Sequence, residues 1–481
     1  MATLKKNILY SSILTAANYI FPLITYPYVS RILGVDKIGI CNFVDSIINY
    51  FILFSMLGIS IIGIREIAKN KKTKEELNKT FNSLFLLNTI STAIMLILLI
   101  VAINIVPKLY EHRELMYIGA LKLIFNYLLI EWLYKGLEDF KFITHRTIII
   151  KCLYVISVFL FIRDANDYKV YYLILSLMIV VNAIINIIYS RKFVNYNWHN
   201  TNIKPFIKPF LILGFYMLLT SMYTSFNVAY LGFVAGETEV GYYTTATKLY
   251  GIILSIFTAF TGVMLPRMSA LISESKMDEF MTLLNKSINL LFGLSIPIII
   301  FAMIFAHTII LLLSGNGYEG AIMPMQIVMP LILIIGYEQI LVIQILMPLK
   351  KDRAILINSI IGAGVGVIFN LLIVSQYKSV GSAYVWVISE LSVLIMSQYF
   401  VKKYINIKFP IFFLLRNIIY NVPLAVLLYI LFINYNSVVV MIFAALLMVT
   451  YSFILQYVIL KNKIFVEVIN KICKNILKFK Y

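Results

Sequence analysis

The sequence predicts an all-α polytopic membrane protein of about fourteen transmembrane helices, and three observations carry that expectation. Hydrophobic residues make up 61% of the 481 positions and mean hydropathy is +0.91. Too little polar surface remains to cover a soluble globule of that size. Apolar runs of about 20 residues, enough to cross roughly 30 Å of hydrocarbon, recur along the whole chain. The runs are too long and uniform for alternating barrel strands, and backbone amides facing lipid find partners within their own segment only in a helix.

Taken in order, hydropathy places helices at 8–30, 38–63, 80–106, 114–134, 147–162 and 169–190, then at 209–233, 241–265, 287–313, 321–347, 354–374 and 380–400, and finally at 411–433 and 437–460. Lys5 and Lys6 precede the first run. That run continues too far for a secretory signal and lacks a small-residue cleavage site, so it reads as an uncleaved first span.

The chain is organised around Tyr26 to Asp45, YPYVSRILGVDKIGICNFVD, a tight charged corner between two apolar runs that carries Gly34 and Gly39. VAGETEVGYYTTATKLY, Val234 to Tyr250, echoes it, with Gly236 and Gly241 at the same interval. Six apolar runs lead from one copy to the other, and an even number returns the chain to the same side of a membrane. The expectation is of two parallel repeats, 1–200 and 201–405, followed by two additional helices in 406–460 and a basic tail, 461–481. Transporters of such a build place substrate at the repeat interface.

Orientation follows from Lys and Arg. With the N-terminus inside, interior segments hold 32 of the 41 basic residues and exterior segments hold 7. That bias places both termini in the cytoplasm, and it accounts for most of the net charge of +19. No basic soluble module exists to direct that charge at nucleic acid. The charged stretches 65–79 and 266–286 read as partly helical interior loops with solvated faces. In the tail, Ile464, Val468, Ile472 and Ile476 recur every four residues, with Lys471, Lys474 and Lys478 in a separate row. The pattern is that of an amphipathic helix lying on anionic inner-leaflet lipid.

Several activities are excluded as expectations. Cys41, Cys152 and Cys473 have no metal-ligand spacing and none of the four histidines is paired in a metal motif, so neither a disulfide framework nor a metal site is expected. No nucleophile elbow, Walker loop or zincin motif occurs, and no catalytic residue or cofactor is assigned. Gly362, Gly364 and Gly366 lie inside an apolar span, where close helix packing explains them. The exterior loops are short, which leaves no room outside for an enzyme site.

What remains informative is the ionisable groups within spans, each costly unless it faces a cavity or a partner. Asp45 lies six residues past Gly39 and Lys248 seven past Gly241, roughly 10 Å below the outer surface at the helical rise. Lys122 is at similar depth, Glu338 and Glu390 are nearer mid-span, and Arg31 ends the first helix at the outer rim. Arg31, Lys122 and Lys248 are candidates for an anion-attracting cavity. Asp45, Glu338 and Glu390 are candidates for a coupling proton or Na⁺. The plainer alternative for Arg31 and Asp45 is local pairing or helix capping. Glu131 pairs by default with Lys135, and His307 is read as a hydrogen-bonded core histidine. Asn358 and Asn370 are cavity candidates whose bland role is interhelical hydrogen bonding.

These residues carry a resemblance. SRILGVDKIG, GLEDFKFIT (Gly136 to Thr144), VGYYTTATKL (Val240 to Leu249), LPRMS (Leu265 to Ser269) and the stretch from Asn358 through Asn370 to GSAYVWVISE, ending at Glu390, follow one another in family order. The chain from about residue 5 to 460 thereby resembles the Wzx-type polysaccharide repeat-unit flippases (O-antigen and capsule) of the multidrug/oligosaccharidyl-lipid/polysaccharide (MOP) exporter superfamily. The resemblance implies two six-helix bundles forming a V with two helices added outside. It implies as substrate an oligosaccharide linked through pyrophosphate to a polyprenol, moved between leaflets of a bacterial cytoplasmic membrane by alternating access, with polysaccharide assembly proteins as further partners. Two other readings stay open. One is another transporter of the same superfamily, a cell-wall precursor flippase or an ion-coupled small-molecule antiporter; the other is a membrane polysaccharide polymerase, against which the short outer loops speak.

Overall fold

The computed structural model describes residues 2–197, 201–435 and 437–460. Every regular element among them is helical. Twelve helical stretches among the described residues are long and apolar enough to cross a membrane, and two of these, of 58 and 54 residues, are long enough for two spans each and are interrupted at Gly34 and at Lys378. Counting these two long stretches as two spans each gives the fourteen that hydropathy anticipates. Large apolar side chains such as Ile97, Ile105, Leu372 and Val439 are exposed, as expected where lipid rather than water covers the protein. The amphipathic tail expected over 461–481 lies outside the described residues.

In chain order, α1 (Ala2–Met56) is followed by α2 (Ile59–Asn70), α3 (Lys74–Ile105), α4 (Pro107–Glu111), α5 (Arg113–Asn126), α6 (Glu131–Gly136), α7 (Phe140–Phe161) and α8 (Tyr168–Ser190). Then come α9 (Lys204–Thr224), α10 (Phe226–Ala235), α11 (Glu237–Ser273), α12 (Met277–Ile304), α13 (Ala306–Ser314), α14 (Ile322–Val328), α15 (Leu331–Leu341), α16 (Asp352–Ile405), α17 (Ile411–Tyr435) and α18 (Val438–Ile454). The chain divides into two compact units. One holds the residues up to Thr244 with Ser314–Gly317 and Phe369–Ser382; the other holds Thr245–Leu313, Tyr318–Ile368 and the chain from Ala383 onward.

The helices depart from the hydropathy reading in two ways. First, they run past the apolar stretches: the ninth span begins at Met277 rather than 287, and the eighth continues to Ser273. Charged residues end an apolar run but do not end a helix, because the backbone hydrogen bonds continue regardless of the side chains. Second, several spans break where no change in hydropathy marks it. Leu57 takes a left-handed φ of 34° and separates α1 from α2; Ser225 separates α9 from α10.

The break between α5 and α6 shows how such a discontinuity is held. A 3₁₀ turn at Tyr127–Leu129 leads to Ile130 at φ 38°, ψ 32°, a conformation that costs a non-glycine residue about 1–2 kcal/mol. The carboxamide of Asn186 donates to the Leu129 carbonyl, and the Tyr134 hydroxyl donates to the carbonyl of Asn186. Arg146, buried on α7, donates to Asn186 Oδ1 at 2.5 Å and to Glu131 Oε1 at 2.8 Å. Glu131 also meets Lys135 at 3.2 Å, the local pair expected from their spacing. Beside this network α2 packs on α6 through two glycines: a Cβ on Gly63 would stand 2.6 Å from the Trp132 ring, and one on Gly136 would stand 2.7 Å from Ile67. Ile59, Ile62, Phe81 and Leu133 belong to the same buried cluster.

In the second unit α12 packs against α15, α17 and α18. Gly336 lets Leu291 approach, with a would-be Cβ at 2.5 Å, and Gly293 lets in the carboxamide of Gln456, at 2.7 Å. Gln456 donates to Asn417 Oδ1 at 3.1 Å. The last two helices are thus tied to each other by a buried amide pair, a contact that stays specific where lipid and apolar side chains are equally greasy, and Gln456 seats them on α12 at Gly293.

Removing Arg146 strands the Glu131 carboxylate with Lys135 alone and leaves Asn186 short of a donor. Arg146→Met is expected to lower unfolding free energy in detergent by about 3 kcal/mol, near the low end for breaking a buried pair. Chemical denaturation of the purified protein checks this, and an unchanged midpoint would show that the break at Ile130 holds without it.

Candidate functional site

The two sequence echoes fold against each other. Gly34 adopts φ 73°, ψ 170° and Gly236 adopts φ 90°, ψ 174°, the same break 202 residues apart. A Cβ at either would meet nothing within 4 Å. Glycine is needed there for its conformation, which L side chains rarely adopt. Gly39 and Gly241 are needed for space instead. A Cβ on Gly39 would lie 1.8 Å from the Glu237 carbonyl oxygen, and one on Gly241 would lie 2.4 Å from that of Val35. Each corner glycine therefore accepts the backbone of the opposite corner.

Hydrogen bonds repeat the reciprocity. Thr238 Oγ1 donates to Asp36 Oδ1 at 2.6 Å, and Asn42 Nδ2 donates to Thr244 Oγ1 at 2.8 Å; both pairs are separated by 202 residues. Residues at equivalent places in the two copies thus bond to each other, as they do across a two-fold axis. Glu237 extends this clasp: Oε1 lies 2.5 Å from Lys108 Nζ and 2.7 Å from His112 Nε2. Glu239 accepts from the Ser379 amide at 3.2 Å and lies 3.7 Å from Lys378 Nζ, at the break in α16. Glu111, His112 and Glu237 bring metal-ligand atoms within 4.8 Å of one another. Lys108 already supplies the cation that this group calls for.

Next to the clasp is a cavity of about 400 Å³ between the second half of α1 and the α9–α10 break. Helix α1 contributes Asn42, Asp45, Ser46 and Asn49, a polar stripe at three- and four-residue spacing. The break contributes Ser221, Thr224 and Ser225, with Thr224 and Ser225 exposed. Tyr50 spans the two walls by donating from its hydroxyl to the Ser221 carbonyl at 3.0 Å. Behind this wall Lys122 Nζ lies 2.6 Å from Asp45 Oδ1, with side-chain exposures of 6% and 35%. The ammonium also sits 4.3 Å from the centroid of the Tyr172 ring, whose hydroxyl donates to the same carboxylate oxygen at 3.3 Å. Burying a lysine is affordable here because its charge is matched at hydrogen-bond distance.

The candidates read from the sequence are distributed as follows. Asp45 and Lys122 are brought together as an ion pair. Arg31 does not line the cavity; its Nη1 donates to the Pro27 carbonyl at 2.7 Å, and its Cγ lies 2.9 Å from where a Cβ on Gly315 would stand. Asn370 donates to Asn227 Oδ1 at 2.8 Å, both fully buried in the first unit. In the second unit Asn358 donates to Ser397 Oγ at 2.7 Å, and Glu390 is buried and accepts from Trp386 Nε1 at 3.1 Å. Glu338 and Lys248 are half-buried on α15 and α11. Reading the sequence for charge passed over Asn42, Ser46 and Asn49, although their helical spacing around Asp45 is visible in it. Ser221, Thr224 and Ser225 had no such signal, because what makes them a site is a helix break.

Comparison with known proteins adds four findings. A family model described as "Polysaccharide biosynthesis protein" matches residues 4–272, more than half of the chain. A protein of Escherichia coli (strain K12) named "Putative O-antigen transporter" is 24% identical over 418 residues, covering 83% of this chain and 97% of that one. Among solved structures, the lipid II flippase MurJ in an inward closed conformation superposes with a TM-score of 0.76 at 16% identity, covering 94% of this chain and 99% of that one. An inward-facing multidrug resistance transporter of the MATE family in the MOP superfamily superposes with a TM-score of 0.61 at 14% identity, covering 82% and 93%. The fold is that of these transporters.

The clasp yields a direct expectation. In a background with Cys41, Cys152 and Cys473 replaced by serine, cysteines at Asp36 and Thr238 should cross-link on mild oxidation. Adding Gly39→Leu should reduce the cross-link several-fold by holding the two backbones apart. Cross-linking unaffected by the leucine would mean that the contact at Gly39 does not control the approach of the two corners.

Proposed function

Because the chain belongs to the polysaccharide biosynthesis protein family, we propose that it is a lipid-linked oligosaccharide flippase. It moves a polyprenyl-pyrophosphate-linked repeat unit from the inner to the outer leaflet of a bacterial cytoplasmic membrane. The observation that carries this reading is the family match together with a relative named for O-antigen transport that aligns over nearly its whole length. Likeness of fold to a lipid II flippase supports it. The protein changes the leaflet of its substrate and breaks no bond, so it is not an enzyme in this reading.

Both termini face the cytoplasm, following the excess of Lys and Arg in alternate loops. The clasp of Gly39 and Gly241 then lies at the outer end, and alternating access opens and closes it. Arg31, Lys122 and Lys248 supply the cationic groups that attract the pyrophosphate, of which Lys122 is already balanced by Asp45. Glu338 and Glu390, with Asp45, Asn358 and Asn370, are the polar groups within spans available for ion coupling. The basic tail rests on anionic inner-leaflet lipid, and polysaccharide assembly proteins take over the product outside. A second reading, an ion-coupled small-molecule antiporter, draws on likeness of fold to the MATE transporter.

Depleting the protein in its own host and analysing lipid extracts by mass spectrometry tests the proposal. Complete polyprenyl-pyrophosphate saccharides should accumulate and stay inaccessible to an externally added glycosidase or lectin. Finished units that reach the outer leaflet normally, in a strain without a second flippase, would leave antiport as the better reading. Separately, Lys248→Ala should impair export at normal protein abundance, and intact export would remove Lys248 from the site.

A further inference from the structure

The cavity beside the clasp has a different chemistry from a phosphate site. Of the side chains on its wall, Asp45 is the one carboxylic acid, and no Lys, Arg or His is among them. The ammonium that balances it, on Lys122, is buried behind the carboxylate and does not reach the wall. A pyrophosphate entering here would find no cation presented to it, because the one carboxylate on the wall is already closed onto Lys122.

The rest of the wall is neutral and polar. Asn42, Ser46, Asn49, Thr224, Ser225 and Thr244 present carboxamides and hydroxyls, groups that between them donate and accept hydrogen bonds. Asn49 is exposed and held by donation to Asp45 Oδ2 at 3.1 Å. Thr224, also exposed, is oriented by donation to the Thr220 carbonyl at 2.9 Å and keeps further acceptor capacity. Leu53, Val228 and the Tyr50 ring add apolar surface between these groups. A pyranose has the matching pattern, with hydroxyls around its edge and C–H groups on its faces. The volume of about 400 Å³ falls within the range of small-ligand pockets.

We propose that this cavity binds an uncharged sugar ring of the transported saccharide, with Asn49 and Thr224 as specificity-determining residues, and that the anionic linkage is held elsewhere. The inference rests on the flippase reading. Asn49 presents its carboxamide from α1 and Thr224 presents its hydroxyl from the α9 side of the break, so the ring is read from both walls. Asp45, closed onto Lys122, keeps acceptor capacity for a sugar hydroxyl.

The test uses the purified full-length protein and two lipids, undecaprenyl diphosphate and the saccharide-bearing lipid pool extracted from the depleted host, with binding followed by native mass spectrometry. Asn49→Ala and Thr224→Val are expected each to weaken binding of the saccharide-bearing pool about tenfold, the scale of one lost hydrogen bond. Undecaprenyl diphosphate should bind both variants as it binds the wild type. Both residues face open space, so the variants are expected to keep wild-type thermal stability, and a second pair, Ser46→Ala and Ser225→Ala, repeats the measurement if either is lost. Equal weakening for both lipids would place the diphosphate in the cavity, and no weakening for either would empty it of substrate; each overturns the proposal while sparing the flippase reading. Wild-type protein that binds neither lipid would remove both.

Discussion

The contact on which the first unit depends is the crossing of two backbones. Gly39 lies against the carbonyl of Glu237 and Gly241 against that of Val35, closer than any side chain would allow. Because the crossing is that close, Thr238 reaches Asp36 and Asn42 reaches Thr244. In a membrane, apolar side chains gain little by leaving lipid for protein, so association depends on close packing and on hydrogen bonds made where water cannot compete. The clasp uses both. The glycines at 34 and 236 make it possible, since the chain turns from one span into the next without an intervening loop.

Several polar groups within the spans are matched nearby. Lys122 is matched by Asp45, Arg146 by Glu131 and Asn186, Asn370 by Asn227, and Asn358 by Ser397. The cost of burying an isolated charge explains the pairing. The pairing also bears on chemistry, because a lysine closed onto a carboxylate presents much less positive charge to a ligand than its presence in the sequence suggests. The helix breaks at Ile130 and Ser225 are the places where irregular backbone is tolerated within spans, the first because side chains restitch it and the second because it lines a cavity.

Much of this was legible in the sequence. The number of spans follows from hydropathy, since the length needed to cross hydrocarbon is set by the bilayer. The repeat was visible in the matched intervals of Gly34 with Gly39 and Gly236 with Gly241. The polar stripe of Asn42, Asp45, Ser46 and Asn49 was visible too, to a reader looking for hydroxyls and amides as well as charges. Helix ends were less legible, as at Met277 and Ser273, because a helix runs on through charged residues once it leaves the apolar layer.

By itself the sequence determined the class of fold, the count of spans and the echo of the 26–45 corner in 234–250, because these depend on composition and on spacing along one chain. Only the tertiary structure decided that Gly39 and Gly241 take in each other's backbone, that Lys122 is closed onto Asp45, and that Ser221, Thr224 and Ser225 face Asn49 across a cavity. Those outcomes depend on which residues meet at 3 Å after folding, and on a local break at Ser225 that changes φ and ψ without changing hydropathy.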